Sequence, residues 1–174
     1  MQVMSPEPIT PTDRDHRLAT AVKLREEGRR EEAREMLVAL AARLPQDVEV
    51  AYQTAWVHDT LGLEAEAVPY YVTAVGSPGL SPEERSGALL GLGSTYRALG
   101  RYPEALATLE SACAEFPEDG ALRAFLAMAL HNSGRGKEGM EILLKLLATT
   151  SGDPHITRYR PAFEEYAKDL DATF

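Results

Sequence analysis

Four histidines, His16, His58, His131 and His155, are the side chains of this chain best suited to hold a metal or move a proton near neutral pH. No two of them stand three or four residues apart, the spacing that sets two imidazoles on one helix face, and no CxxC accompanies them. No metal site is expected, and His58 reads as a packed, hydrogen-bonded side chain. A Ser, His and Asp triad converges only in space, but the sequence contains no GxSxG elbow to present such a serine. The run Gly91–Ser94, GLGS, has the composition of a phosphate loop yet falls inside a helical pattern, where Gly93 answers a need for a small residue. Glu26, Glu27, Glu31 and Glu32 flank Gly28 and form a solvated face, not an acid/base pair. The single cysteine, Cys113, has no partner to oxidise with and lies on an apolar stripe with Leu109 and Ala112, so it reads as a structural thiol. No catalytic residue, no metal and no cofactor is expected, and the chain is not read as an enzyme.

The chemistry that remains is recognition. Trp56 is the only tryptophan, and Tyr52 precedes it by one helical turn, so the two can form an aromatic anchor of the kind enriched at binding hot spots. Arg25 and Arg97 could orient a ligand carboxylate. Each has an equally simple packing role: Trp56 and Tyr52 as core between helices, and the arginines as surface partners of Glu26 and Asp59. The residue types leave both readings open.

These residues are positioned by a repeat. Gly28, Gly62, Gly100 and Gly134 are spaced by 34, 38 and 34 residues, and five residues after each comes a small residue, Ala33, Ala67, Ala105 or Gly139. Glycine can turn the chain in the left-handed conformation after a first helix, and the small residue lets a second helix approach the first closely. A period near 34 is that of a two-helix solenoid unit. The third unit reads Leu89, Leu92, Gly93, Tyr96, Gly100, Tyr102, Ala105, Leu109 and Pro117, with the stretch GRYPEAL from Gly100 to Leu106. This pattern resembles the tetratricopeptide repeat (TPR). The first unit gives Ala21, Leu24, Gly28, Ala33, Leu37 and Pro45, with Arg17 where an apolar residue is usual. The second gives Ala51, Ala55, Gly62, Ala67, Tyr71 and Pro78, with His58 in place of Tyr; the fourth gives Leu126, Ala127, Leu130, Gly134, Gly139 and Leu143, with no proline until Pro154.

The resemblance implies an all-α, right-handed α-α superhelix of four helix pairs, at about 14–46, 47–80, 81–118 and 119–152, and a non-enzymatic module for protein–protein interaction. It also implies a concave groove lined by the first helix of each pair. By register the lining is Leu18, Val22 and Arg25; Tyr52, Trp56 and Asp59; Leu90, Ser94 and Arg97; and Ala124, Met128 and His131. A peptide, a helix or a partner surface would bind there. The alternative is a structural homodimer joined through an exposed helical face. The Lys and Asn clamp with which chaperone-binding members hold a terminal carboxylate is missing, since Leu18, Val22, Gln53, Gly87 and Leu90 occupy its positions.

The ends lie outside the repeat. Residues 1–11 carry Pro6, Pro8 and Pro11 without helical period and are expected to be an extended or disordered leader, with Thr12 and Asp15 as the capping signal of the first helix. Ser81, Pro82 and Glu84 read as an N-cap, a first-turn proline and a capping-box acid, and the four extra residues before the third unit lengthen its first helix by a turn. Residues 153–174 form a capping helix opened by Asp153 and Pro154 and kinked or divided at Pro161; it is expected to cover Leu143, Leu144 and Leu147 and to turn Glu164, Glu165, Lys168 and Asp169 outward. With 27 acidic and 18 basic residues the net charge is −9, which opposes binding to nucleic acid or an anionic membrane surface. No run reaches the roughly 18 apolar residues of a membrane span and none has signal-peptide character, so a cytoplasmic address is expected.

Overall fold

The computed structural model describes residues 9–171. Most of the expected leader, residues 1–8, and the last three residues lie outside that range. The described residues are all-α, with no strand among them. The helices are α1 (Pro11–Glu26), α2 (Arg30–Arg43), α3 (Val48–Thr60), α4 (Glu64–Gly76), α5 (Pro82–Ala98), α6 (Tyr102–Glu115), α7 (Gly120–Asn132), α8 (Gly136–Thr150), α9 (Pro154–Arg158) and α10 (Arg160–Tyr166). Two compact units divide inside α5, the first ending at Ala88 and the second beginning at Leu89.

The backbone explains the glycine period. Gly28, Gly62, Gly100 and Gly134 have φ of 83°, 72°, 73° and 78°, the left-handed region that a Cβ disfavours. Around each, the same two hydrogen bonds close the helix. At the first turn the Gly28 N–H donates to the Arg25 carbonyl (3.0 Å) and the Arg29 N–H reaches back to Leu24 (2.9 Å). Leu63 to His58, Arg101 to Tyr96 and Arg135 to Leu130 repeat the longer bond at 3.0, 2.8 and 2.9 Å. This is the Schellman closure, which satisfies carbonyls that the end of a helix leaves open. The small residues that follow are fully buried in the first three turns, Ala33, Ala67 and Ala105 at 0% exposure.

The cap of α1 differs from the sequence expectation. Thr10, not Thr12, is the N-cap: its Oγ1 accepts from the Asp13 N–H (3.2 Å). Pro11 decides this, because its fixed φ suits the first helical position and its missing N–H costs nothing there. At α5 the capping box forms as expected, Ser81 Oγ accepting from the Glu84 N–H (3.2 Å) and Glu84 accepting from the Ser81 N–H (2.9 Å). That helix has 17 residues against 13 in α3 and α7, one turn more.

In the first unit α3 lies on both α1 and α2, and Leu18, Ala21, Ala33, Leu37, Leu40, Val50 and Val57 form one buried cluster. Asp47 fixes the entry of α3. Its carboxylate caps the Val50 N–H (3.0 Å) and takes two hydrogen bonds from the Arg14 guanidinium, at 2.8 and 2.7 Å. Burial pushes the Asp47 carboxyl upward, but the Arg14 and Val50 bonds outweigh it and hold the group below the usual carboxylate range. A carboxylate whose pKa is depressed by folding stabilises above its unfolded value and loses that contribution as pH falls through the folded one. Stability should therefore decline below about pH 4. Asp47→Asn keeps a capping oxygen and removes the charge, so its urea midpoint should fall less than that of the parent between neutral and acid pH; parallel curves would refute the assignment.

The second unit closes in two ways. Gly93 makes room for the fully buried Leu109, whose side chain a Cβ at 93 would strike, and at Gly139 a Cβ would lie 2.6 Å from the Ala127 carbonyl oxygen. The terminal segment divides at Tyr159 into α9 and α10, with Pro161 in the first turn of α10, and Asp153 caps α9 through the His155 N–H (2.8 Å). Helix α10 packs on α8, Ala167 is fully buried, and Lys137 donates to Asp169 (2.6 Å) and Asp171 (2.7 Å). The cover is narrower than expected, for Leu143 and Leu147 remain 41% and 37% exposed. Two helices of five and seven residues are too short to shield all sides of a 15-residue helix.

Candidate functional site

In the first unit α1 and α3 bring three of the six expected lining residues, Arg25, Tyr52 and Trp56, into contact, while Asp59 pairs with Tyr71. Tyr52 and Trp56 are one turn apart on α3 and stack at 5.7 Å between ring centroids, with 24° between planes. The Arg25 guanidinium lies over the Trp56 ring, 3.7 Å from its centroid, in cation–π geometry. Arg25 is buried, and its Nη1 donates to the equally buried Gln53 Oε1 at 2.5 Å. Burial draws the Arg25 guanidinium below its usual value while neighbouring Glu26 opposes the shift; it remains cationic at neutral pH. Asp59, a turn beyond Trp56, accepts from the Tyr71 hydroxyl (2.7 Å), and burial, reinforced by Asp59, pushes that phenol far above its ordinary value.

The two aromatics therefore have different roles. Tyr52 is core, 7% exposed, with its hydroxyl in the space left by the missing side chain of Gly87. Trp56 is 40% exposed although it contacts both Tyr52 and Arg25. Leu18 is core and Val22 half-buried. Arg25 meets Gln53 and Trp56 instead of the surface acid suggested by the sequence. A partner 28 positions away in the chain leaves no local signal.

In the second unit Leu90, Ser94 and Arg97 of α5 and Ala124 and Met128 of α7 are half-buried, and His131 is exposed. Arg97, Met128 and His131 come together around a concavity of about 270 Å³, completed by Gly139, Met140 and Leu143 of α8. Leu90, Ser94 and Ala124 do not line it. Arg97 Nη1 donates to Asn132 Oδ1 (3.2 Å). Met140 and Leu143 were not among the residues that the sequence placed at a site. The signal was present in the apolar spread around α8, which the sequence assigned to the terminal cover.

His58 is 4% exposed, stacks on Tyr70 at 5.3 Å, and its Nδ1 lies 2.7 Å from the Thr54 carbonyl, which can only accept; Nδ1 therefore carries the proton. Cys113 is half-buried, and burial pushes its thiol up, away from the thiolate a nucleophile requires. Among the described residues no three His, Cys, Asp or Glu side chains converge as ligands of a metal, and no helix is long and apolar enough to cross a membrane.

The fold recurs in solved structures. MamA from AMB-1 superposes with a TM-score of 0.68 at 20% identity, over 84% of this chain and 78% of that one. A Podosopora anserina kinesin light chain candidate with nearly identical TPR-like repeats gives 0.67 at 21% identity, over 92% of each chain. MamA from Desulfovibrio magneticus RS-1, residue 41 to its end, gives 0.64 at 18% identity over 91% of this chain and 94% of that one. At these identities the likeness is one of fold. No curated protein matches the sequence. Residues 48–170, however, match the Tetratrico peptide repeat family, and with the glycine turns and close helix pairs in that register, the chain belongs to the tetratricopeptide repeat family.

Proposed function

We propose that this chain is a non-enzymatic protein-interaction module, cytoplasmic, that takes a peptide, helix or partner surface on the faces built by the first helix of each pair. The observation that carries the proposal is Trp56: a large aromatic side chain, 40% exposed, that stacks on Tyr52 and carries a buried arginine over its ring. An exposed aromatic already held in place loses little conformational freedom on binding and contributes its apolar area to a contact. Arg25 supplies positive charge behind the ring, favouring ligands that bring a carboxylate or a carbonyl edge to it. Tyr52, itself core, supports the ring.

The test is affinity capture from the source cell with the wild-type chain and the Trp56→Ala variant, followed by titration of whatever protein is retained. Retention should fall by about tenfold or more, equivalent to 1.4 kcal/mol, in the variant. Trp56 emission in the free protein should be accessible to an aqueous quencher and become protected on binding. A partner retained equally by both proteins would remove Trp56 from the contact and the proposal with it.

A further inference from the structure

The groove between α7 and α8 occupies the register of the groove between α1 and α2, but the two are filled differently. In the first unit α3 is seated in it: Val50 and Val57, two turns apart, share a buried cluster with Ala21, Ala33 and Leu37. Counted from the turn glycines, the equivalents of those three residues are Ala127, Gly139 and Leu143. The residue nine positions after each turn glycine is 0% exposed at Leu37, 2% at Tyr71 and 0% at Leu109, yet 41% at Leu143. Met140 beside it is 50% exposed, and both border the 270 Å³ concavity. Helix α10 packs on α8 without closing this side.

We propose that the α7–α8 groove is a docking site for an amphipathic helix of a partner protein, one with apolar side chains two turns apart and a carboxylate between or beside them. The helical form follows from the internal precedent of α3. The carboxylate follows from the rim. Arg97 reaches Asn132 but no carboxylate among the described residues, its Nε is buried without a hydrogen-bond partner, and exposed His131 stands at the register position that Arg25 holds in the first unit. A second copy of the chain is the poorer occupant. Its α1 would be the head-to-tail guest, and that helix turns Asp13, His16, Arg17 and Lys23 outward, while the net charge of −9 opposes close approach of two copies. The site shares no residue with the Trp56 contact and its test has a separate readout.

The probe is a fluorescein-labelled peptide of residues 48–60, the segment that fills the equivalent groove, in its own sequence and with Gln53→Glu, titrated into the full chain by fluorescence anisotropy. Saturable binding is expected. Leu143→Glu and Met140→Glu, each at an exposed position and each checked for unchanged helical circular dichroism, should weaken it at least about tenfold. Arg97→Ala should weaken the substituted peptide more than the unsubstituted one. Trp56→Ala in the full chain should leave both affinities unchanged, so this inference can fail while the Trp56 reading stands, and the reverse. No saturation up to millimolar peptide, or binding indifferent to both α8 substitutions, overturns the proposal. So does a wild-type dimer in sedimentation that Leu143→Glu dissociates, because the groove then holds a second copy.

Discussion

Leu109→Ala should lower the unfolding free energy by about 2–5 kcal/mol, whereas Leu143→Ala, at the same point of the next repeat, should cost under about 1 kcal/mol. The chemistry of the two substitutions is identical, so the difference isolates environment. Leu109 is 0% exposed and lies against Gly93, where even one added carbon would strike its side chain. Truncating it forfeits the whole transfer energy of the deleted carbons and leaves a void that close packing around Gly93 cannot refill. Leu143 is 41% exposed. Part of its surface already faces water in the folded state, and a void at the protein surface is open to solvent. Urea titrations of both variants, with unchanged slope, measure the contrast. Equal losses would mean that the α7–α8 groove is closed in solution and would remove the basis for a guest helix there.

Gly139→Val should destabilise by about 3 kcal/mol, at the upper end of overpacking costs, because the obstacle is backbone. A Cβ at 139 would stand 2.6 Å from the Ala127 carbonyl oxygen and 3.4 Å from its Cα and carbonyl carbon. A flexible side chain could rotate aside, but a helix carbonyl moves only with its helix. The α7–α8 pair must therefore spread, and its other contacts loosen. Gly136 provides the control three residues earlier: a Cβ there meets only His131 Nδ1, at 3.6 Å. Gly136→Ala should be neutral or stabilising by up to about 1 kcal/mol, through lower entropy of the unfolded chain. If valine at 139 is tolerated as well as alanine at 136, close helix approach is not what the fifth residue after the turn is selected for.

The sequence was readable wherever one local stretch determined the outcome. Turn glycines, the Ser81–Glu84 capping box and the helix break just before Pro161 each act over a few residues, and each is found at or beside the place its spacing gives. Trp56 was not decidable in that way. On one helix, Tyr52 is core and Trp56, a turn later, is half in solvent. That division depends on Arg25 arriving from α1 and on the space at Gly87, contacts set by tertiary packing. Leu143 reads as a core residue by pattern alone. Its exposure follows from a missing neighbour, which no property of its own segment encodes. The cap of α1 lay two residues from its expected place because the weight of Pro11 at a helix start exceeds that of a Thr and Asp pair.

Within each unit most helix contacts join elements next to each other in sequence, α1 on α2, α2 on α3, α3 on α4, and then α6 on α7 and α7 on α8, with α10 reaching α8 across the five-residue α9. The consequence is kinetic. Forming such a contact closes only a turn of a few residues, and the entropic cost of closure grows with the logarithm of loop length, so each step is within reach before distant parts of the chain have met. A search of this kind is fast, and it has no single obligatory nucleus. Opening runs by the same route in reverse: a helix is released when its neighbour leaves, and the short α9 and α10, with the least surface to hold them, are released more readily than α8.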